Sequence, residues 1–312
     1  MKAMMTNGVE LSSRVRNVVM LCLIPTALSL SQTITRFQDP FGGVGARATA
    51  LGDAYTSQAF DVGSMYWNPA TLAFLTQSSL LVDYSRGPEG ASSSQVVALP
   101  ISVDEHITMG LGVQMVRNNA NAFADNVVEF PREYGFDLGS AVTVAQGLSL
   151  GLRLGFRYGQ AVHSDVYTGF STVGIDYAPD PSISYAFVYN GLPLGLRVKD
   201  YNPDFPMDLE RLPRSFEIGV TMHYPSSRLN QLINISVANE KVVGTPGLFY
   251  MAGMEVLPLQ FLGLRVGYVT GPGTSQIRYG LGIGGSEIQV AYAAIPSPYH
   301  APLHQLSILI GR

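Results

Sequence analysis

The sequence predicts an all-β fold, a transmembrane antiparallel β-barrel of about 14 strands closed around a short N-terminal segment. Three observations predict it. Segment after segment alternates one greasy parity with one small, polar or charged parity. In "GLSLGLRLGFRYG", residues 147–159, Leu148, Leu150, Leu152, Leu154, Phe156 and Tyr158 oppose Ser149, Gly151, Arg153, Gly155 and Arg157. Side chains alternate across a strand, so these are its two faces. Charged residues are only 13 % of the chain, against roughly 25 % in soluble domains, while Gly reaches 33 and Tyr plus Phe 30. A surface in bulk water this poor in charge is hard to keep soluble. The connections, finally, alternate long and short, as they do in outer-membrane barrels.

The strands follow in order. The pattern marks 78–86, 93–102, 106–117, 133–144, 147–159, 166–178, 182–190, 214–224, 231–239, 246–257, 260–270, 276–285, 286–294 and 304–312. Many are near ten residues, the length a tilted strand needs to cross a bilayer. "HITMGLGVQM", "SFEIGVTMHY" and "SQIRYGLGIG" repeat the two-face pattern. The greasy face meets lipid, because a charge there costs kilocalories. Arg153 and Arg157 therefore point into the lumen, with Glu217, Glu255 and Glu287 as their expected partners, and Arg278 is a further lumen-facing charge. Tyr84, Tyr158, Tyr177, Tyr189, Tyr224, Tyr268 and Tyr292 fit interfacial girdles. The long connections are 118–132 and 191–213, and the glycines of 280–285 offer a place for a strand to kink.

Residues 1–31 read as an export signal, with Lys2, Arg14 and Arg16 ahead of the apolar run Val18–Leu30 and small residues at Ser29 and Ser31 before a cut at Gln32. Cys22, the only cysteine, leaves with it, so the mature chain has no thiol chemistry. A net charge of -4 without basic runs gives no footprint for nucleic acid. Gly280, Gly282 and Gly285 match a dinucleotide pattern formally, but they end a strand instead of opening a helix. The five histidines show no metal-ligand spacing and no nucleophile elbow occurs, so no cofactor, metal or enzymatic activity is expected.

Residues 32–76 precede the barrel, which occupies 77–312. Their second half lacks strand alternation; Ala46 to Ala59 suits a short helix, and Asn68 before Pro69 marks another helix start. The stretch "GARATALGDAYTSQAFDVGSMYWNPATLAF" carries Ala46-Arg47-Ala48, Gly52-Asp53, Asp61 and Trp67-Asn68-Pro69-Ala70. At these elements the chain resembles the FadL-like outer-membrane proteins, and within them the PorV and PorQ branch linked to type IX secretion. That resemblance implies that residues 45–70 form a hatch inside the barrel, in the bacterial outer membrane. It also implies two functions. In the PorV-type role, the barrel binds secreted proteins with a C-terminal sorting domain, together with other type IX components, and shuttles them to the surface. Tyr201, Phe205, Met207 and Asp208 of the longest loop are then the candidate contacts. In the FadL-type role it transports a hydrophobic small molecule.

Overall fold

The computed structural model describes residues 43–59, 61–75, 79–87, 90–118, 132–160, 164–201, 208–226, 231–259, 261–285, 287–297 and 301–311. The expected signal segment and the first part of 32–76 lie outside them. The strands are β1 Leu80–Arg86, β2 Ser92–Ser102, β3 Ile107–Asn118, β4 Arg132–Ala145, β5 Leu148–Gln160, β6 Ser164–Asp180, β7 Ile183–Tyr201, β8 Asp208–Arg211, β9 Ser215–Ser226, β10 Gln231–Val242, β11 Phe249–Leu259, β12 Leu262–Gly271, β13 Thr274–Gly284, β14 Ile288–Ile295 and β15 Leu303–Ile310. Chain neighbours pair antiparallel except β8 and β9, since β9 pairs with β7, and β1 pairs with β15 from Leu80↔Ile310 to Arg86↔His304. The sheet thus closes into a barrel of 14 strands, with β8 folded back on the outer part of β7. Closure satisfies the backbone without leaving an edge, which lipid requires. No helix of the described residues is long and apolar enough to cross a membrane.

Alternation sorts the two faces. On β5, Leu150, Leu152, Leu154 and Phe156 are exposed, whereas Ser149, Arg153 and Arg157 are almost fully buried. Tyr84, Tyr177, Tyr224, Tyr268 and Tyr292 also stand on the outer face. The short β2–β3 turn is built by Asp104, whose carboxylate accepts from the amides of His106 and Ile107 at 2.7 Å each. Those two bonds hold its carboxyl below the usual range.

Two expectations are corrected in the wall. Residues 191–213 are not simply a loop: β7 runs on to Tyr201, paired with β6, and β8 pairs Leu196↔Arg211 through Lys199↔Asp208. The glycines at 280–284 do not kink β13, which pairs regularly with β12 and β14. The longest irregularity among the described pairings lies in β7, where residues 191–194 stand against Ser171 alone between Phe170↔Gly195 and Thr172↔Asn190. Pro193 lacks an N–H for the ladder, and Gly191 takes φ 84°, so this segment leaves the regular strand.

The segment before β1 fills the lumen. Its helix α1, Ala46–Ala50, is shorter than the expected 46–59. Gly52 and Asp53 follow it at φ 66° and 60°, left-handed values that stop a helix. Two 3-10 turns, Val62–Tyr66 and Pro69–Phe74, complete the segment. The wall meets it with glycine: a Cβ on Gly267 would lie 2.0 Å from the Gly52 nitrogen, and one on Gly151 2.2 Å from the Ala70 nitrogen. Backbone packs on backbone there, and neither side can give way.

Gly151→Val or Gly267→Val should therefore destabilise the folded protein by about 1–3 kcal/mol or expel the segment. Gly169→Val, where an added Cβ meets nothing within 4 Å, should be neutral. Urea titration of the heat-modifiable folded band on gels separates the three; equal midpoints would contradict the packing described.

Candidate functional site

The lumen is a plug of polar side chains seated on small ones. In α1, Ala46 and Ala50 pack against Ala291 and Ala293 of β14. The intervening Arg47 turns to the opposite side, where its guanidinium pairs with Glu255 of β11. Glu255 also accepts from Arg265 Nε of β12 at 2.7 Å and from Asn234 Nδ2 of β10 at 2.7 Å. One carboxylate thus joins plug to wall. Asp53, displayed by the left-handed turn, pairs with Arg278 of β13 at 2.7 Å.

The remaining motif residues shape the plug itself. Asp61 caps the first 3-10 turn by accepting from Gly63 N at 2.7 Å. Trp67 Nε1 donates to Val44 O at 2.9 Å, and its ring meets Tyr55 edge-on at 6.4 Å. Burial first, and then the Asp61 carboxylate, push the Tyr55 hydroxyl well above the usual phenol range. Asn68 accepts from Ala70 N at 3.0 Å and donates to Thr56 O at 2.9 Å. Pro69 follows at the first position of the turn, where no N–H is missed. Ala70 has no room to be larger, because it lies on Gly151, and its carbonyl accepts from Ser149 Oγ at 2.9 Å. Ala48 is fully buried beside Leu51 and Tyr55.

Further bonds fasten the plug around its circumference. Thr56 donates to Glu217 of β9, and Ser184 of β7 donates to Ser57 O at 2.6 Å. Ser57 and Thr221 share a bond at 2.7 Å, and Gln58 Nε2 donates to Ser236. Across the lumen, Ser307 Oγ accepts from Ala46 N at 2.6 Å while it donates to Asp83, and Thr49 donates to Gln305 at 2.6 Å.

The structure places the expected lumen charges differently in two respects. Arg153 and Arg157 do not pair with Glu217 or Glu255. They share Asp137 of the adjacent β4, at 3.1 Å and 2.9 Å, because β4 puts that carboxylate on the same inner parity one strand away. Arg153 additionally donates to Tyr66 O at 2.9 Å, which ties this cluster to the plug. Glu287 is exposed in the short turn ahead of β14 and faces no lumen, since the strand begins only at Ile288. Asp137, Arg265 and Asp83 were missed; each lies on the inner parity of its strand, which is the signal that would have found them. Of the loop candidates, Tyr201 ends β7 and Asp208 begins β8, with their side chains outside the description, while Phe205 and Met207 lie outside the described residues.

Above the plug, at the end of the barrel that carries the long connections, opens a cavity of about 460 Å³. Asp53 and Arg278 line it from the plug and from β13, and serines of β1, β2 and the β14–β15 connection line its sides. Among the described residues no group of His, Cys, Asp and Glu has metal-binding geometry.

No protein-family model and no curated protein sequence matches the chain. Solved structures do. The fold is similar to that of the toluene transporter TbuX of Ralstonia pickettii, at 11 % identity and a TM-score of 0.57, with 87 % of this chain and 98 % of that one covered. It is similar also to the monoaromatic hydrocarbon channel CymD, at 14 % identity and a TM-score of 0.59, over 88 % and 98 %. A FadL homologue of Pseudomonas aeruginosa matches at 12 % identity and 0.53, over 85 % and 97 %. The chain has the fold of these FadL-type outer-membrane transporters.

Proposed function

We propose that this protein is a FadL-like transporter that passes small molecules across the bacterial outer membrane, with residues 43–75 as the hatch that must shift to open it. The observation that carries this reading is the seat of the hatch. Toward β9, β10, β11 and β13 it is tied to the wall by hydrogen bonds and ion pairs, which water can replace as the hatch moves, while on its other side Val62, Met65 and Leu72 pack against Leu81, Val96 and Ala141. The vestibule ends on this hatch, so a solute entering from the long-loop side meets it directly. The names of the fold neighbours, which give toluene and monoaromatic hydrocarbons as their cargo, support transport over a structural role. The type IX shuttle reading rests on the 45–70 motif, and its candidate loop contacts Tyr201, Phe205, Met207 and Asp208 have side chains outside the description.

An engineered lock tests the movement. A Cβ on Gly139 of β4 would lie 3.7 Å from Cβ of Met65 in the hatch, the separation a disulfide needs. The only native cysteine is Cys22. Met65→Cys with Gly139→Cys, oxidised in proteoliposomes, should cut solute permeation at least about tenfold and recover it on reduction. Equal permeation in both redox states would rule the moving hatch out.

The ionic latch gives an independent measurement. Glu255→Gln leaves Arg47 and Arg265 buried without their carboxylate, a loss of about 3–5 kcal/mol for such a pair. The variant should keep a folded, heat-modifiable barrel yet leak ions in planar bilayers where the parent protein stays closed. A variant as silent as the parent would show that this cluster does not hold the hatch.

A further inference from the structure

The fold neighbours are named for hydrocarbons, but the described lining of this vestibule has the opposite chemistry. A pocket for an apolar ligand is walled chiefly by aliphatic and aromatic side chains with a few polar groups among them. Here Ser85 of β1, Ser92 and Ser94 of β2, Gln276 of β13 and Ser297 of the β14–β15 connection surround the space, over the Asp53–Arg278 pair. The aliphatic minority, Val116, Ile295 and Leu303, is scattered among them, and no aromatic ring takes part among the described lining residues. A hydrocarbon placed here would strip water from hydroxyl and amide groups and return no hydrogen bond, at a cost of about 1–3 kcal/mol per buried group.

We infer that the vestibule is a binding site for a small, neutral, polyhydroxylated molecule of sugar or polyol chemistry. Serine hydroxyls and carboxamides each donate and accept, as the hydroxyls of such a ligand do, so the two sets are complementary. The acid and base at the floor, Asp53 and Arg278, offset each other at 2.7 Å, and Glu133 of β4 adds a carboxylate to the described lining, so the site gives an anion no reason to be selected. The volume of about 460 Å³ lies within the range of small-molecule sites and holds a ligand of one or two sugar rings. This assignment rests on the transport reading for its consequence, uptake, and names the cargo class; as a binding site it stands on the lining alone.

The hatch carries its own reporter. Trp67 is the only tryptophan, and its ring lies against Gly43, a residue of the vestibule lining. The experiment titrates maltose, and separately toluene, onto the full-length mature chain in nanodiscs, and follows Trp67 emission at wavelengths toluene does not absorb. Maltose should shift the emission saturably and toluene should not. Ser85→Leu with Gln276→Leu should weaken maltose at least about tenfold, the loss of one or two hydrogen bonds. Ser85→Thr with Gln276→Asn, which keeps the polar groups, should retain it. A saturable response to toluene with none to maltose, or maltose binding unchanged in the leucine pair, would overturn the inference. Maltose-driven swelling of proteoliposomes reads the transport step separately: binding without swelling removes transport and leaves the site in place.

Discussion

Lipid on the outer face leaves every charged side chain of this barrel one place to go. A charge at the bilayer midplane on the outer parity costs about 2–4 kcal/mol, so the ionic side chains collect on the inner parity. There the next constraint acts, because a charge buried in a narrow lumen without a partner is also destabilising. Arg153 and Arg157 meet it within the wall, through Asp137. Arg265 also meets it within the wall, through Glu255 of β11, which takes Arg47 of the hatch as a second partner, whereas Arg278 pairs with Asp53 of the hatch. The hatch is therefore part of how the lumen satisfies its own charges.

The same parity explains the glycines. A hatch of more than one turn of helix, two 3-10 turns and their links must fit inside 14 strands, and the inner face gives it room by losing side chains. Gly151 receives Ala70, Gly267 receives Gly52, and Gly280 receives Ala50. Between these contacts the seat is polar toward β9–β13 and apolar where Val62, Met65 and Leu72 meet Leu81, Val96 and Ala141. Close steric fit fixes where the hatch sits, whereas the hydrogen bonds and ion pairs around it fix how tightly. Changing one need not change the other, so the latch can be tuned without redesigning the seat.

This division also decides what was legible in the sequence. Alternation is a local signal enforced by lipid, so strands such as β3, β5 and β12 could be read within a few residues of their ends. The β7–β8 hairpin escaped because the greasy parity of Ile183, Tyr185, Phe187 and Tyr189 switches to Leu192, Leu194, Leu196 and Val198, where the chain departs from the ladder at 191–194. Pairing of charges is not local. Parity says that Arg153 and Arg157 face inward, but only the register of β4 against β5 brings Asp137 to them; Glu217 and Glu255 share the parity and stand on other strands. Glu287 fits the period of β14, yet falls one residue before the strand begins. In the hatch, the caps at Asp61 and Asn68 depend on neighbours in sequence and could be anticipated at Asn68-Pro69. The left-handed geometry of Asp53 depends on the wall and could not.

Fold and cargo separate along the same line. Outer-face residues answer to the bilayer, which is alike for every barrel of this kind, so the architecture persists at 11 to 14 % identity. Inner-face residues above the hatch answer only to what enters. A serine such as Ser85 or an amide such as Gln276 can stand where another barrel has an aliphatic side chain, with no effect on strand pairing or lipid contact. Likeness of fold therefore says nothing about the polarity of a cargo. The polarity is set by a few inner-parity positions at the mouth, and in this chain they are hydroxyls and amides over a neutralised ion pair.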